Sequence, residues 1–441
     1  MKSKINKHDI EFLIDCLKTG KEIPEVYKYA LFPTKQKEYE LVYAGKMRKE
    51  DVLADTEEAK PVPLQIEKVF NGKKYPLYSK DWYNLLVFGD NLQILKTFND
   101  DKDSLIRGKI KGKVKLIYID PPFATVSDFK SNNGAKAYSD KTKGAEFVEF
   151  LRKRLIVAKE LLANDGSIYI HLDWKKSHYI KLVLDEIFGE YKFRREIIWT
   201  LSGVAGYKSL VNSFVRGHDT ILYYSKNEDV IFNKEYLPYN EAQLKRFTKV
   251  DEKGRKYKPI TKTKRIYLDE AKGVPVSDVW TDIASFQTIV NSPEITNYPT
   301  QKPEKLLERI IRASTNEGDL VLDFFCGSGS TLTVSEKLGR RWVGCDIGKL
   351  AMYTTQKRLL EIDQSKDIEN KKKKYGKPAK SFAIVTSGLY DLGKIFTLRK
   401  DEYIRFVKDL FGIEEIKSTK IGGVGIDGKK REFYVKIFPR S

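Results

Sequence analysis

The sequence has few cysteines and no long apolar run. Only three of its 441 residues are cysteine, and their spacing fits neither a disulfide framework nor a zinc site. His171, His178 and His218 are not spaced like a catalytic triad or a set of metal ligands, so we expect no metal requirement. Met1 is followed by no segment apolar enough to be a signal peptide or a membrane span. The sequence therefore predicts a cytoplasmic protein without disulfide bonds.

Acidic residues are outnumbered by basic ones. Lys and Arg together number 81 against 61 for Asp and Glu, which gives a net charge of +20. Such an excess suggests a polyanionic partner, because neutralised phosphates supply much of the affinity for nucleic acid. A solvated Lys/Glu-rich surface, as in many thermophile proteins, is the alternative. Charge alone leaves both interpretations open.

The most informative motif follows the short apolar run 116–119, which is typical of a buried strand. It consists of Asp120, Pro121, Pro122 and Phe123. In open α/β sheets, ligands bind at the carboxyl ends of strands, and a proline fixes the backbone and orients the carbonyl before it. A carboxylate, an oriented carbonyl and an aromatic ring are the groups needed to hold a nucleobase by its exocyclic amine. A plain turn at a strand end is the alternative.

A second motif, far downstream, is typical of nucleoside binding. Residues 320–325 are predicted to form a strand, residues 326–331 a glycine-rich turn and residues 332–338 a helix. Glycines at such a turn permit a tight bend and close approach of a ligand to the backbone. The next strand ends at Asp346, where doubly wound folds place the acid that binds ribose hydroxyls. This combination is more specific than a glycine-rich loop alone.

Together the two motifs resemble those of amino-group DNA methyltransferases that use S-adenosylmethionine. Their order, with Asp-Pro-Pro-Phe before Phe-x-Gly-x-Gly, resembles the permuted β group, which includes modification subunits of type III restriction systems. Further landmarks of that family lie at 88–91, 165–173, 185–189, 218–222 and 298–303. The resemblance extends from about Asp81 to Leu360.

The resemblance implies a pocket in which a flipped-out base meets the methyl donor. Asp120 and the Pro121 carbonyl would accept hydrogen bonds from the target amine, and Phe123 would stack on the base. The predicted cofactor-binding residues are Asp90, Asn91, Thr300, Gln301, Lys302, Asp323, Phe325, Gly327, Ser328, Gly329 and Asp346. Among them Asp346 would bind the ribose, and Lys302 the carboxylate of the donor.

Basic residues interleaved with aromatic ones crowd into residues 226–295, between the two motifs. The resemblance places target recognition in this region, and positioning on phosphates requires such a cluster. The predicted DNA contacts are Lys245, Arg246, Lys249, Arg255, Lys256, Lys258, Lys262, Lys264 and Arg265. A solvated charged insertion is the alternative.

Alternating strand and helix patterns predict an α/β fold with a doubly wound, mostly parallel sheet that is covered on both faces. The resemblance makes this a Rossmann-like methyltransferase fold. The predicted divisions are a mostly helical N-terminal segment (1–80), a catalytic half (81–225), a target-recognition region (226–295), a cofactor-binding half (296–362), a mobile basic linker (363–380) and a small C-terminal α/β appendage (381–441). Within the first segment, helices are predicted at 10–17 and 26–31.

The first functional hypothesis is a site-specific N6-adenine methyltransferase that acts on double-stranded DNA in a restriction–modification or defence system. Asp at the first motif position favours adenine, since many cytosine-N4 enzymes carry Ser there. Cytosine-N4 methylation stays an alternative, as does a modification or specificity subunit that acts mainly in complex with a restriction endonuclease. RNA or a protein amide is disfavoured because glutamine methylases usually carry Asn-Pro-Pro-Tyr. The resemblance is also compatible with a homodimer.

Overall fold

The chain divides into two compact units, residues 1–42 and residues 43–441. The computed structural model describes residues 7–21, 23–24, 27, 40–54, 59–78, 82–122, 128–130, 136–139, 144–201, 211–261, 263–289, 291–388, 399–411, 413–416, 419–421 and 423–438. In the first unit the helix Lys7–Thr19 buries Leu13 and Cys16, where a helix over 10–17 was predicted. Nearly all of the helix predicted at 26–31 lies outside the described residues.

The described helices of the second unit follow the sequence pattern closely. They are Lys49–Leu53, Asn91–Asp100, Gly144–Leu161, Ser177–Phe188, Glu241–Leu244, Glu304–Ser314, Ser330–Lys337, Lys349–Leu360 and Lys400–Phe411, with short 3-10 turns at Glu190–Lys192 and Ile362–Gln364. Gly189 ends the helix Ser177–Phe188 in a backbone conformation with φ of 95° that favours glycine. Pro303 immediately precedes Glu304–Ser314 as its N-cap residue.

The described strands, numbered along the chain, are β1 (Leu64–Phe70), β2 (Asn84–Phe88), β3 (Val114–Ile119), β4 (Asp128–Lys130), β5 (Lys136–Ser139), β6 (Leu162–Leu172), β7 (Phe193–Thr200), β8 (His218–Ser225), β9 (Tyr236–Leu237), β10 (Lys249–Val250), β11 (Lys256–Pro259), β12 (Arg265–Tyr267), β13 (Val274–Pro275), β14 (Val279–Trp280), β15 (Leu320–Asp323), β16 (Arg341–Asp346), β17 (Phe382–Ser387), β18 (Thr419–Ile421), β19 (Val424–Ile426), β20 (Gly428–Lys430) and β21 (Phe433–Val435).

Ten strands form one central sheet in the order β1-β17-β2-β16-β15-β3-β6-β8-β7-β14. All neighbours from β17 to β6 are parallel. Antiparallel pairing occurs toward the two edges, where β1 joins β17 and β8 lies between β6 and β7. The predicted α/β fold with a mostly parallel sheet is confirmed.

Helices cover this sheet on both faces. Leu116 and Tyr118 of β3 pack in one cluster with Leu306 and Ile310 of the helix Glu304–Ser314. Successive side chains of a strand point to opposite faces, and Ile117, between those two residues, is also fully buried. A strand buried on both faces reads as a continuous apolar run, which is why residues 116–119 could be recognised from the sequence.

The parallel register collects acids at one edge of the sheet. The neighbouring strands β2, β16, β15 and β3 all run in the same direction, so their carboxyl ends lie side by side. Asp323 and Asp346 end β15 and β16, Asp120 directly follows β3, and Asp90 lies two residues beyond β2. Four carboxylates thus converge where α/β sheets bind ligands.

Three of the predicted divisions do not match the fold. The strands β1 and β17, assigned by prediction to an N-terminal segment and a C-terminal appendage, belong to the central sheet. β14, inside the predicted recognition region, pairs parallel with β7 of the same sheet. These segments are distant in sequence from the strands they pair with, and local patterning does not reveal such pairing.

Residues 363–380, predicted to be a mobile linker, are packed onto the protein. Lys366 and Lys374 form an antiparallel bridge, and Tyr375 donates its backbone N–H to the Ser365 carbonyl at 2.8 Å. Ala379 is fully buried in an apolar cluster. The four lysines 371–374 therefore project from an anchored loop.

Cys16, Cys326 and Cys345 are free and buried. No group of three or more His, Cys, Asp or Glu residues among those described is arranged to hold a metal ion. None of the described helices has both the length and the apolar composition needed to cross a membrane.

Candidate active site

A single cavity of about 370 Å³ joins the two sequence motifs. Asp120 and Pro122 line it from the end of β3, and Gly327 and Ser328 line it from the glycine-rich turn. Other predicted residues on its wall are Asp90, Asn91, Thr300, Gln301, Lys302, Asp323, Phe325 and Asp346. Of the predicted cofactor-binding residues, only Gly329 does not line the cavity. Gly329 is part of the glycine-rich turn.

The Asp120 carboxylate has one oxygen in an ion pair and one buried oxygen without a partner. Its Oδ2 accepts a short hydrogen bond from the Lys302 ammonium. Its Oδ1 is buried and finds no hydrogen-bond partner among the described residues. A buried acceptor without a partner is unfavourable, so Oδ1 is available for a donor from a ligand. Pro121 is buried next to it, while Phe123 lies outside the described residues.

Asp346 holds the glycine-rich turn in place. Its Oδ2 accepts the backbone N–H of Gly327 at 2.9 Å, and its Oδ1 accepts that of Gly348 at 2.8 Å. Burial raises the pKa of this carboxyl, and the two amide donors oppose that rise. The acid therefore organises the turn before any ligand arrives, and its oxygens still border the cavity.

The two glycines of the turn are required by the protein's own packing. Gly327 has φ of 49° and Gly329 has φ of 73°, in the left-handed region that favours glycine. A Cβ at Gly327 would lie 3.2 Å from the Tyr298 ring, and one at Gly329 would lie 2.6 Å from Thr355. The predicted tight turn is present, and the space that a Cβ would occupy at each glycine is filled by these side chains.

Asp323 lies beneath the turn as a structural acid. Its oxygens accept the Thr331 hydroxyl at 2.6 Å and the Phe325 backbone N–H at 3.0 Å. Burial raises the pKa of this carboxyl to about 7, although both hydrogen bonds act in the opposite direction. Asp323 thus links the end of β15 to the helix Ser330–Lys337.

Asp90 and Asn91 are held by an arginine that the motifs did not indicate. Asp90 caps the helix Asn91–Asp100 through Oδ1, which accepts the N–H groups of Leu92 and Gln93. Its Oδ2 lies 3.0 Å from the Arg154 guanidinium, which also donates to the Asn91 side chain. Arg154 is buried and lies over the ring of Phe150. An adenine amine that donated a hydrogen bond to Asp90 would therefore share the Asp90 carboxylate with Arg154.

The helix Gly144–Leu161 supplies a wall of the cavity that sequence reasoning missed. Phe147, Phe150 and Arg154 all line it, and their spacing places them on one helical face. A buried arginine is rare without partners. Arg154 on this otherwise apolar face was the signal that could have marked the helix as part of the site.

Thr300 and Gln301 shape the wall opposite that helix. Gln301 accepts the backbone N–H of Thr296 at 2.8 Å and donates to the Glu294 carbonyl at 2.7 Å, which closes a compact loop. Thr300 has φ of 66°, a conformation that is strained for a β-branched residue. The loop holds Tyr298 against Gly327 and positions Lys302 beside Asp120.

A buried polar chain lies behind Asp120. The Tyr118 hydroxyl is 3.0 Å from His171 Nδ1, and His171 Nε2 is 3.2 Å from Asp219 Oδ2. The other oxygen of Asp219 accepts a short hydrogen bond from Arg216. Burial lowers the pKa of His171 to about 3, so the ring is neutral, accepts at Nδ1 and donates from Nε2. The arrangement gives this histidine a structural role.

Replacing His171 by Gln should change the pH dependence of stability. The unfolded histidine takes up a proton near pH 6.5, whereas the folded one does so only near pH 3. Its contribution to stability is therefore complete above pH 6.5 and is lost as the pH falls toward 3, by about 1.4 kcal/mol per pH unit. Urea unfolding of both proteins between pH 4 and 8 measures this difference. Parallel pH profiles for the two proteins would contradict a neutral buried His171.

The basic cluster between the motifs forms a small sheet of its own, β10-β11-β12. The predicted DNA contacts that are exposed are Lys245, Arg246, Lys249, Lys256, Lys264 and Arg265. Lys258 lies 4.9 Å from the Phe247 ring centroid, and Lys262 is outside the described residues. Arg255 is bound by Asp269 and Glu270. That pairing gives Arg255 a structural contact within this sheet, and its contact with DNA phosphate stays a prediction.

The cavity meets the requirements for a nucleoside-type methyl donor. Its volume lies within the roughly 300–1,000 Å³ of small-ligand sites. Aromatic walls from Phe150 and Phe325, an acid at the end of β16 and the buried Asp120 Oδ1 border the same space. The aromatic walls suit a flat heterocycle, the acid at the end of β16 suits a ribose, and the Asp120 carboxylate suits a cationic centre.

Comparison with known proteins agrees with the geometry. The profile of the N6/N4 DNA methylase family matches residues 114–357. Type II methyltransferase M.EcaI of Enterobacter cloacae is 34% identical over 314 residues, covering 59% of this chain and 68% of that protein. The probable type III restriction-modification enzyme HindVI Mod subunit of Haemophilus influenzae is 25% identical, covering 60% and 48%. The M1.HpyAVI–SAM complex has a TM-score of 0.39 at 22% identity, covering 62% of this chain and 98% of that chain.

Proposed function

The chain belongs to the DNA methylase family of N6- and N4-methyltransferases, and we propose that it methylates the N6 amine of an adenine extruded from double-stranded DNA. The observation that carries this proposal is the shared cavity of Asp120 and the 326–329 turn. A cavity with an amine acceptor at one end and a nucleoside site at the other matches a methyl transfer between two nucleosides.

The role proposed for Asp120 follows from the chemistry of the target. The exocyclic amine is a weak nucleophile because its lone pair is delocalised into the ring. An acceptor that takes its N–H hydrogen bonds favours the pyramidal nitrogen and directs the lone pair outward. Asp120 Oδ1 is buried and ready to accept, and the Pro121 carbonyl is proposed as the second acceptor. Both interactions strengthen in the transition state, which is the requirement for catalysis.

S-adenosylmethionine supplies the methyl group on a sulfonium, which makes the methyl carbon electrophilic. Asp346 is proposed to bind the ribose, and Phe325 to pack on the flat base. Ser328 and its neighbours at the start of the helix Ser330–Lys337 offer backbone N–H groups to an anionic group. Each of these residues faces the cavity in the structure.

Lys302 is proposed to position Asp120. Its ammonium binds Oδ2, while its backbone carbonyl accepts the Ser330 hydroxyl at 2.9 Å. The lysine therefore connects the catalytic acid with the helix that follows the glycine-rich turn. By fixing Oδ2, it sets the orientation of the carboxylate at the cavity wall. This contact differs from the carboxylate of the donor, which was the predicted partner of Lys302.

Replacing Lys302 by Ala should slow methyl transfer by roughly 10- to 100-fold, since a charge-assisted hydrogen bond contributes about 1.5–3 kcal/mol. Lys302→Arg should recover part of the rate because it restores a cation next to Asp120. Single-turnover transfer of labelled methyl groups at saturating donor and DNA measures the effect. An alanine variant with the wild-type rate would rule out the positioning role.

The identity of the methylated base is tested by labelled-methyl transfer to DNA followed by nucleoside analysis. We expect label in N6-methyladenine. The family also contains cytosine-N4 enzymes, and label confined to N4-methylcytosine would overturn the adenine assignment. Absence of label from any DNA would overturn the proposed function as a whole.

The exposed basic residues of β10–β12 and its flanks are proposed to bind DNA phosphates. A restriction–modification context is proposed from the similarity to a Mod subunit of a type III restriction-modification enzyme. A homodimer and a restriction endonuclease partner stay predictions. Sedimentation of the purified chain, alone and with DNA, would show whether the chain forms a homodimer.

A further inference from the structure

A rigid turn extends beyond the sheet edge that carries Asp120. It consists of residues 173–176, between β6 and the helix Ser177–Phe188. The buried Asp173 side chain accepts the backbone N–H groups of Lys175 and Lys176, both at 3.1 Å. Its carbonyl accepts the N–H of Ser177 at 3.1 Å. The hydrogen bonds of Asp173 therefore hold the turn from inside.

This turn presents an aromatic ring and two cations to solvent. The Trp174 side chain is 54% exposed, although tryptophan is usually well buried. The ammonium of Lys175 lies 5.7 Å from its ring centroid. Lys175 and Lys176 form no salt bridge with the described residues, and Asp173, which interacts electrostatically with Lys175, is buried beneath the turn. The surface charge of the turn is accordingly positive.

The turn borders the catalytic cavity. The ammonium of Lys176 lies 5.7 Å from the centroid of the Phe147 ring, and Phe147 lines the cavity. Ile119 of β3 pairs with Ile170 of β6, so Asp120 is level with His171, and Trp174 follows three residues later. The turn directly follows β6, so Trp174 lies at the same edge of the sheet as Asp120.

We propose that residues 173–176 form a DNA-contacting element, in which Trp174 stacks on the bases beside the extruded nucleotide and Lys175 and Lys176 bind the adjoining phosphates. This inference rests on the proposed function, because a base held at Asp120 brings its neighbours to within reach of the turn. Removing a base from the stack costs a few kcal/mol, and an aromatic surface that contacts the exposed neighbouring bases offsets part of that cost.

The positive charge and the exposed aromatic ring of residues 173–176 together favour nucleic acid as the partner that binds there. Exposed aromatic rings flanked by Lys or Arg are the groups that bind bases and phosphates at the same time. The element is separate from the predicted cluster at 245–265, which lies on its own small sheet. It would therefore contribute to holding the extruded state, while that cluster contributes to target recognition.

The test uses the full-length enzyme with a duplex that contains its methylation site, identified by methylation-sensitive sequencing of DNA from cells expressing the chain. 2-Aminopurine at the target position reports extrusion through its fluorescence. The variants are Trp174→Ala, Trp174→Phe and the double replacement K175A/K176A. Matched controls are Tyr191→Ala, an 84% exposed aromatic residue, and K111A/K113A, two exposed lysines. The controls lie at the amino ends of β7 and β3, on the opposite edge of the sheet.

We expect Trp174→Ala to weaken binding of the duplex about tenfold and to reduce the 2-aminopurine signal. Trp174→Phe should recover most of both losses. A mismatch opposite the target, which makes extrusion easier, should restore the signal of Trp174→Ala. K175A/K176A should reduce the slope of log affinity against log salt by ~1.8. Donor affinity should be unchanged in every variant, which excludes misfolding as the cause.

Equal behaviour of the turn variants and their matched controls would overturn this inference while leaving methylation by the wild-type enzyme intact. A wild-type enzyme that transfers no label to DNA would instead overturn the proposed function. Loss of affinity without any change in the 2-aminopurine signal would contradict the stacking role of Trp174.

Discussion

Replacing Asp120 by Asn should lower kcat for methyl transfer by about 10²–10³, the loss typical when one preorganised electrostatic group is removed. An amide in this position offers one acceptor without a negative charge, and its NH₂ group repels the N–H of the target amine. The residue also loses its ion pair with Lys302. Single-turnover transfer of labelled methyl groups at saturating donor and DNA measures the chemical step.

Affinity for the donor should change less than threefold in Asp120→Asn, because the acid contacts the target base and not the ribose site. Equilibrium dialysis with labelled donor provides this control. A folded Asn variant that retains a rate within threefold of wild type would show that Asp120 is not the group that activates the amine.

Replacing Asp346 by Ala should weaken donor binding by about 100-fold. The carboxylate holds the backbone N–H groups of Gly327 and Gly348, and it is proposed to bind the ribose. Charge-assisted hydrogen bonds of this type contribute about 1.5–3 kcal/mol each. Isothermal titration with S-adenosylhomocysteine, the demethylated form of the donor, measures the affinity without turnover.

The matched variant Asp346→Asn keeps one side-chain acceptor and should lose less affinity than Asp346→Ala. At saturating donor, both variants should retain a rate much closer to wild type than Asp120→Asn does. Unchanged donor affinity in Asp346→Ala would exclude the 326–329 turn as the nucleoside site. Together, the Asp120 and Asp346 variants separate chemistry from cofactor binding.

Strand ends were the most predictable part of the fold. Residues 116–119 and 320–323 are buried on both faces, so each reads as an unbroken apolar run followed by an acid. The local sequence is therefore sufficient to predict where these two strands end. Adjacency of the two strands follows from the parallel sheet, and it is this adjacency that places Asp120 and Asp323 on one cavity.

Pairing over long sequence distances was not predictable in the same way. β1 and β17 lie more than three hundred positions apart and pair with each other, so each reads locally as an isolated strand. Lys302 and Asp120 are similarly separated by 182 positions. Their ion pair depends on the loop closed by Gln301, whose hydrogen bonds to Thr296 and Glu294 have no sequence signature.

Composition does not show which basic residues are paired with acids. Arg255 was counted with its neighbours because it lies in a basic stretch, yet Asp269 and Glu270 face it across the small sheet. Conversely, Trp174 and Lys175 lie outside any basic run, and their position near the cavity follows only from the register of β3 and β6. A charge count along the chain does not distinguish a neutralised arginine from a lysine beside the active site.

Binding of a bisubstrate compound tests most directly whether one cavity holds the target base and the methyl donor together. In this compound, N6 of an adenine nucleoside is joined by a short linker to the sulfur position of S-adenosylhomocysteine. We predict that wild-type enzyme binds it at least ~100-fold more tightly than S-adenosylhomocysteine alone, and that Asp120→Asn and Asp346→Ala each weaken it. An affinity no higher than that of S-adenosylhomocysteine, unaffected by Asp120→Asn, would contradict the shared cavity.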